Sequence, residues 1–219
     1  MVYRIFNIND MTEEIASHYF PLMTEGKRAK ILGARDKFKG AQAFVADMLA
    51  RQCLSEFCDA PEFSFSLLIN PDSKSIVSNF SAEISVATAG EYVACAVADV
   101  PVGISIVKSE PFTFSDAQTL LTDAEMRYLF SFSKYSFTDI VSKQTCDEQI
   151  VSDKFALFRS LKTAQFFASG RGIRERKNNS SFDFSENNVR CSNADYTVSL
   201  AEFCDNKRLA VSVIERCIK

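Results

Sequence analysis

The hydrophobic pattern of the first half of the chain alternates between short strand-like runs and one long helical stretch. Across residues 24–57, apolar residues recur at helical spacing and give one apolar face. Gly33 and Gly40 weaken helix formation locally, which predicts that this stretch divides into two helices. Runs typical of β-strands cover residues 3–8, 63–69, 92–97 and 103–107. The last two runs are joined by a turn at 99–101 and predict a hairpin-like pair.

The second half repeats the order of helices followed by strands. Helices are predicted over 115–132, where Thr122 and Asp123 are suited to begin a helix, and over 153–169, which ends at Gly170. Strands are predicted over 182–184, 196–200 and 209–214, and turns or loops at 70–72 and 177–181. The repeated order predicts an α+β protein with an N-terminal lobe over 1–100 and a C-terminal lobe over 101–219.

The amino-acid composition argues against several classes of function. The chain has 219 residues, 47% of them hydrophobic and 24% charged, so it can bury a substantial core. Its formal net charge of -3 argues against a general nucleic-acid binder, which needs positive charge to neutralise phosphates. One His and no Trp argue against His-rich zinc sites and a His-based nucleophile triad.

The N-terminus and the cysteines indicate a cytoplasmic protein. No basic start precedes an apolar run, so we expect no signal peptide. The most apolar stretch, residues 92–107, is interrupted by Asp99, Pro101 and Gly103 and is shorter than the roughly 20 residues of a membrane span. The 7 cysteines form no CxxC pair, which favours reduced thiols. We therefore expect a monomer without membrane or nucleic-acid partners.

Three segments carry a resemblance to a known family. Ile84-Ser85-Val86-Ala87 precedes a β-rich run, residues 101–108 read P-V-G-I-S-I-V-K, and residues 160–164 read S-L-K-T-A with G-R-G-I downstream at 170–173. In order and spacing, they resemble the 4'-phosphopantetheinyl transferase superfamily, in its larger pseudo-dimeric, surfactin-synthetase-activating form. The matching family patterns are I-S-H-S, P-x-G-x-D-x-E-K and W-S-x-K-E followed by G-x-G. The resemblance covers most of the chain.

The resemblance implies a fold, an activity and a metal. Family members have two similar α/β lobes around a central cleft and transfer phosphopantetheine from coenzyme A to a serine of an acyl or peptidyl carrier protein. Magnesium, held by carboxylates, offsets charge on the pyrophosphate. Residue by residue, the three carboxylate positions are occupied here by Ser105, Val107 and Thr163. All three metal carboxylates are therefore replaced, which leaves no metal ligand at these positions.

Other site positions of the family are partly retained. Lys162 matches the motif lysine and is the candidate catalytic and coenzyme-binding residue, with Lys74 and Arg28 as further coenzyme-binding candidates. The family His falls at Val86, its Trp at Arg159, a basic helix residue at Gln42 and a further lysine at Phe167. A downstream basic cluster, which can attract an acidic partner or form a solvated loop, comprises Arg171, Arg174, Arg176 and Lys177.

Three hypotheses for the function remain open at this point. The first is a catalytically degenerate transferase-like protein that binds a carrier protein or a coenzyme A-like ligand. The second is an active transferase with altered metal ligands, for which Glu83, Asp99 and Glu110 are the neighbouring acids and magnesium and coenzyme A the cofactors. The third is an unrelated α+β protein.

Overall fold

The computed structural model of the chain describes residues 1–69, 75–77, 79–135, 145–170, 180–185, 188–204 and 208–217. The turn predicted at 70–72, most of the loop predicted at 177–181, Lys74 and the basic cluster between Arg171 and Lys177 lie outside the described residues. Within them, the protein is a mixed α/β structure with open antiparallel sheets.

Each half contains helices and strands. The first half holds β1 (Val2–Asn7), α1 (Glu13–Tyr19), α2 (Glu25–Leu32), α3 (Lys37–Cys58), β2 (Leu67–Ile69), β3 (Ser75–Val77), β4 (Glu83–Ala89) and β5 (Tyr92–Ala98). The second half holds β6 (Val102–Lys108), β7 (Phe112–Thr113), α4 (Phe114–Leu120), α5 (Asp123–Phe130), β8 (Thr145–Cys146), α6 (Gln149–Ser169), β9 (Phe182–Ser185), β10 (Asn188–Cys191), β11 (Tyr196–Cys204) and β12 (Leu209–Arg216). Among the described residues, none of the helices is both long and apolar enough to span a membrane.

The long helical stretch of the first half divides in two, as predicted. α2 ends at Gly33, whose backbone N–H bonds back to Ala29. α3 begins after Asp36, whose carboxylate accepts hydrogen bonds from the backbone N–H groups of Phe38 and Lys39. The division therefore follows from a helix end and a new N-cap within a few residues.

The stretch predicted to be helical over 115–132 holds two helices, and the second begins where Thr122 and Asp123 indicated a helix start. Thr113 caps α4 and Thr122 caps α5, each in a reciprocal capping box with the acid three residues later. Leu121, between them, has extended backbone angles. The predicted helix over 153–169 is confirmed and begins earlier, at Gln149. It ends at Gly170, whose φ of 67° is the left-handed conformation that favours glycine.

The first sheet is antiparallel and has the strand order β1-β5-β4-β3-β2. α3 covers one face of it, because residues such as Val45, Met48 and Leu49 pack against Val93 and Val97 of β5 in one buried core. The strand predicted over 63–69 is shorter than expected. Its beginning is a 3-10 turn at Glu62–Ser64, and the strand itself starts at Leu67.

The second sheet has the strand order β11-β12-β6 and is covered by α6. Phe155, Phe158 and Leu161 of α6 pack with Ala210 and Ile214 of β12 in a second buried core. α4 and α5 contribute to the same core from the side. Each half therefore presents one sheet face to its own long helix.

The hairpin predicted from residues 92–97 and 103–107 is wrong, because its two strands belong to different sheets. β5 pairs with β1 and β4, whereas β6 pairs with β12. The remaining faces of the two sheets meet in a third core, where Ala94 and Ala96 of β5 lie with Ile104 and Ile106 of β6. The small alanine side chains let the sheets approach closely, so the short connection after β5 crosses from one sheet to the next.

Candidate functional site

Alternation along β6 decides where the replaced metal positions lie. Ile104 and Ile106 face the core between the sheets, so Gly103, Ser105 and Val107 face α6. Ser105 is 2% exposed, and its carbonyl oxygen accepts a hydrogen bond from the Ser160 hydroxyl at 3.0 Å. The face of β6 that carries Ser105 and Val107, the positions that the resemblance matches to strand carboxylates, is therefore covered by a helix.

The fit between β6 and α6 is closest at Gly103. A Cβ atom at this position would lie 1.8 Å from the carbonyl oxygen of Ala164 and 2.6 Å from the backbone nitrogen of Ala168. Glycine is therefore required for the helix to lie this close to the strand. The contact continues to Ser105, which is buried under the same helix.

Thr163, the third position that the resemblance matches to a metal carboxylate, lies on α6 and is half-buried. Together, Ser105, Val107 and Thr163 offer two neutral hydroxyls and one hydrocarbon side chain, which do not fit the carboxylate oxygens that magnesium prefers. In the described part of the chain, no group of three or more His, Cys, Asp or Glu side chains is placed to hold a metal ion. The residues present do not match the metal centre that the resemblance implies.

Lys162 has a different environment from the one expected of a phosphate ligand. Its ammonium lies 3.0 Å from Oε1 of Glu125 and donates to the Ser180 carbonyl at 2.6 Å. The ammonium also lies 5.5 Å from the centre of the Phe182 ring. The two charged side chains are 8% and 2% exposed. The lysine is therefore buried in an ion pair.

Glu125 also binds backbone groups at the start of α5 and the start of β9. Its Oε1 accepts a hydrogen bond from the backbone N–H of Phe182 at 2.8 Å, while Oε2 accepts one from the backbone N–H of Thr122 at 2.8 Å. The carboxylate thus caps α5 and also fixes the start of β9. Lys162 supplies the counter-charge that makes this buried carboxylate tolerable.

Arg28 lies in the other half of the molecule from Lys162. Its guanidinium Nη1 donates to the carbonyl oxygen of Pro21 at 3.4 Å, and the side chain is half-buried on α2. Arg28 belongs to the layer outside the first sheet, and Lys162 to the layer outside the second. Lys74 lies outside the described residues.

A polar cluster does form where β6 ends beside the β4–β5 turn. Lys108 Nζ lies 2.6 Å from Glu91 Oε2, and Gln42 of α3 donates to the Gly90 carbonyl at 2.9 Å. The hydrogen bond from Lys108 lowers the pKa of Glu91 below its ordinary value. The lysine and the glutamate are 36% and 30% exposed, so this cluster is accessible to solvent.

Lys108 ends the second matched segment and Gln42 occupies the position of the family's basic helix residue, but neither is among the candidate binding residues predicted from the sequence. The signal was present in the alternation of β6, because Lys108 falls on the face opposite Val107 and points toward the first sheet. The contact itself joins three elements distant in sequence, and spacing alone cannot predict such a contact.

A second buried charge cluster joins α2 to α3. Asp47 accepts from Lys27 at 2.5 Å and from Arg51 Nε at 2.7 Å, and all three side chains are at most 10% exposed. Arg51 also donates to the carbonyl oxygens of Glu62 and Phe65 at 3.1 and 3.0 Å. Burial lowers the pKa of Lys27, against the partly offsetting attraction of Asp47. This cluster holds the segment after α3 in place.

Tyr19 of α1 is bound to the same segment through Glu62. Its hydroxyl donates to Glu62 Oε1 at 2.6 Å and accepts from Gln52 at 2.8 Å. Burial, followed by the hydrogen bond to the carboxylate, raises the pKa of Tyr19 to about 12. His18 lies 3.2 Å from the other oxygen of Glu62 and is exposed, which agrees with a structural rather than a catalytic position.

Comparison with known proteins adds no relative to this description. No protein-family model matches the chain, and a search of curated proteins finds no match either.

Proposed function

We propose that the chain is a 4'-phosphopantetheinyl transferase-like protein that has lost the transfer reaction and acts as a cytoplasmic, monomeric binding module. In this proposal, the two halves correspond to the two similar lobes of that fold, and the ligand is a carrier protein or a coenzyme A-like molecule. The observation that carries the proposal is the environment of the three metal positions. Ser105 is 2% exposed under α6, and Val107 packs against the apolar core.

The proposed loss of the transfer reaction follows from the charge that these positions lack. Transfer of a phosphoryl-linked group requires that negative charge on the pyrophosphate be offset, and a magnesium ion with oxygen ligands normally does this. Neutral hydroxyls at Ser105 and Thr163 and a hydrocarbon at Val107 do not replace carboxylates. The positive charge of Lys162 is already offset by Glu125 at 3.0 Å. The replacements at these positions therefore affect the transfer reaction more than they affect the layered fold around it.

Regular packing agrees with a retained fold, and surface charge supports a binding role. The buried polar side chains of the described residues mostly have partners, and the exceptions are the hydroxyls of Ser152 and Ser212. Basic residues on α2 and in the segment after it offer positive charge for an acidic carrier protein or for phosphates. Such a surface can bind an anionic ligand without catalysing any reaction on it.

Isothermal titration calorimetry tests the proposed binding role. The protein is titrated with coenzyme A and, separately, with an apo carrier protein, each in magnesium and again in excess chelator. We expect saturable binding of at least one ligand, with an affinity that the chelator does not change. Binding that requires magnesium would instead support an active transferase with altered ligands, and binding of neither ligand would refute the proposal.

A further inference from the structure

The segment that contains α2 has little buried surface of its own. None of residues 24–39 is buried, although the flanking residues Met23 and Gly40 are. Ile31 of α2 is partly buried against the first core, whereas Leu32 is 65% exposed. Most of the stability of a helix in a protein comes from burial of an apolar face, and α2 has no buried residue. We therefore expect α2 to separate from the core more easily than α3 does.

An ion pair joins this exposed segment to a fully covered side chain. Lys27 Nζ lies 2.5 Å from Oδ1 of Asp47, and the two side chains are 10% and 1% exposed. Because the stem of Lys27 is covered together with its ammonium, the residue supplies packing as well as charge. The neighbouring Arg28 instead donates to the carbonyl oxygen of Pro21, which is close to it along the chain. Lys27 therefore connects α2 to the interior of the first half.

Asp47 keeps a partner when Lys27 is removed from it. Arg51 Nε lies 2.7 Å from Oδ2 of Asp47, and the Arg51 side chain is 2% exposed. Arg51 also donates to the carbonyl oxygens of Glu62 and Phe65. Loss of the Lys27 contact therefore leaves a buried carboxylate that is still paired, and it leaves the contacts between α3 and the segment after it intact.

We propose that α2 is a flap that opens as a unit between Met23 and Gly40, with the ion pair of Lys27 and Asp47 as its latch. The first sheet and α3 stay folded while the flap is open, because none of the buried residues of their common core comes from residues 24–39. The proposal involves neither β6 nor α6, so it goes beyond the transferase-like function and does not depend on it.

Opening of the flap uncovers both charged and apolar groups. Asp47 and Arg51 are at most 2% exposed when α2 is in place, and water reaches them when it moves away. Ile31 and Leu32 line an apolar depression together with Phe44 of α3, so their departure widens this depression. The flap therefore controls the access of solvent to the surface of α3 beneath it.

Native-state hydrogen exchange of the full chain, followed by NMR in low concentrations of urea, tests the flap. The backbone N–H of Gly33 bonds to the Ala29 carbonyl oxygen and reports on α2, while the buried Val45 and Leu49 report on α3. We expect the α2 amide to exchange at least a hundredfold faster than the α3 amides. Its rate should not depend on urea, because a local opening exposes little surface, whereas the α3 rates should rise with urea.

Two variants of α2 test the latch. Lys27→Ala removes the ion pair and the covered stem, and it should raise the exchange rate of α2 at least tenfold while changing that of α3 less than threefold. Lys30→Ala makes the same substitution at an exposed position of the same helix and is the matched control. It should change the exchange rate of α2 less than threefold. Circular dichroism melting curves show whether each variant is folded.

The results that would overturn the proposal are distinct. Equal exchange rates for α2 and α3 in the unchanged protein, with the same dependence on urea, would show that α2 opens only when the whole protein unfolds. An effect of Lys27→Ala that is absent, equally large in α3, or matched by Lys30→Ala would show that the ion pair is not a latch.

Discussion

At the scale of single residues, buried charge pairs hold together elements that are distant in sequence. Lys162 and Glu125 join α6, α5 and the start of β9, with an ammonium–carboxylate distance of 3.0 Å. Removing one partner of such a pair leaves a charge without compensation in a medium that solvates it poorly. The residue that the family resemblance marks as catalytic therefore has a measurable structural role.

We expect Lys162→Ala to lower the free energy of unfolding by about 3–5 kcal/mol, because Glu125 would be left buried and unpaired. Chemical denaturation measures this loss. Arg159→Ala, an exposed position on the same helix, should change stability by less than about 0.5 kcal/mol. The double variant Lys162→Met, Glu125→Gln should recover part of the loss. A cost below about 1 kcal/mol for Lys162→Ala would contradict the structural role.

Tyr19 gives a prediction for the pH dependence of stability. Its pKa is about 12 in the folded protein against an ordinary value of 10.0, so folding favours the protonated hydroxyl. The stabilisation is fully present below about pH 10 and is lost as pH rises through about 12. The difference in unfolding free energy between the unchanged protein and Tyr19→Phe should therefore be constant at neutral pH and shrink in this window. A difference that does not change between pH 9 and pH 12 would contradict the assignment.

The sequence indicates some of these residues and not others. Asp47 and Arg51 are four residues apart on α3, a spacing that places the two side chains beside each other on the helix, although it does not reveal that the pair is buried. Lys27, which completes the cluster, gives no local sign of this pairing, because Asp47 lies 20 residues further along the chain. The pairing of Lys162 with Glu125 is equally hidden, since it depends on how three separate elements pack.

At the scale of elements, the close contact between β6 and α6 requires a glycine at position 103. Gly103 lies where a Cβ atom would be 1.8 Å from the Ala164 carbonyl oxygen. Backbone atoms cannot move aside as a flexible side chain can. The strand and the helix would have to separate, and both the second core and the core between the sheets would be disturbed.

We expect Gly103→Ala to destabilise the protein by more than about 4 kcal/mol, which is exceptional for so small a change. Gly26→Ala on α2 is the matched control, because nothing lies within 4 Å of the added Cβ atom and alanine favours helix. It should leave stability unchanged or raise it by up to about 1 kcal/mol. Thermal denaturation compares the two. Equal melting temperatures would show that α6 does not pack on β6 as described.

Residue types near helix ends predict the helix boundaries well. The sequence predicts poorly which strands pair with each other. Gly33, Asp36, Thr122 and Gly170 lie at helix ends where capping chemistry places them, and their residue types were visible in the sequence. The assignment of β5 and β6 to different sheets was not visible. A tight turn after β5 resembles a hairpin in sequence, and only the distant strands β1 and β12 decide the pairing.

At the scale of the whole molecule, four layers follow one another: α3, the first sheet, the second sheet and α6. The proposed loss of the transfer reaction concerns the outer part of this stack, where α6 covers β6. The same packing that stabilises the second half leaves Ser105 at 2% exposure.

The most direct test of this account is a phosphopantetheine transfer assay read by intact mass. The protein is incubated with coenzyme A, magnesium and an apo carrier protein, alongside an active phosphopantetheinyl transferase as the positive control. The account predicts that the carrier mass stays unchanged while the positive control converts it fully. A phosphopantetheine mass gain that increases with the amount of this protein, and that chelator abolishes, would contradict the account.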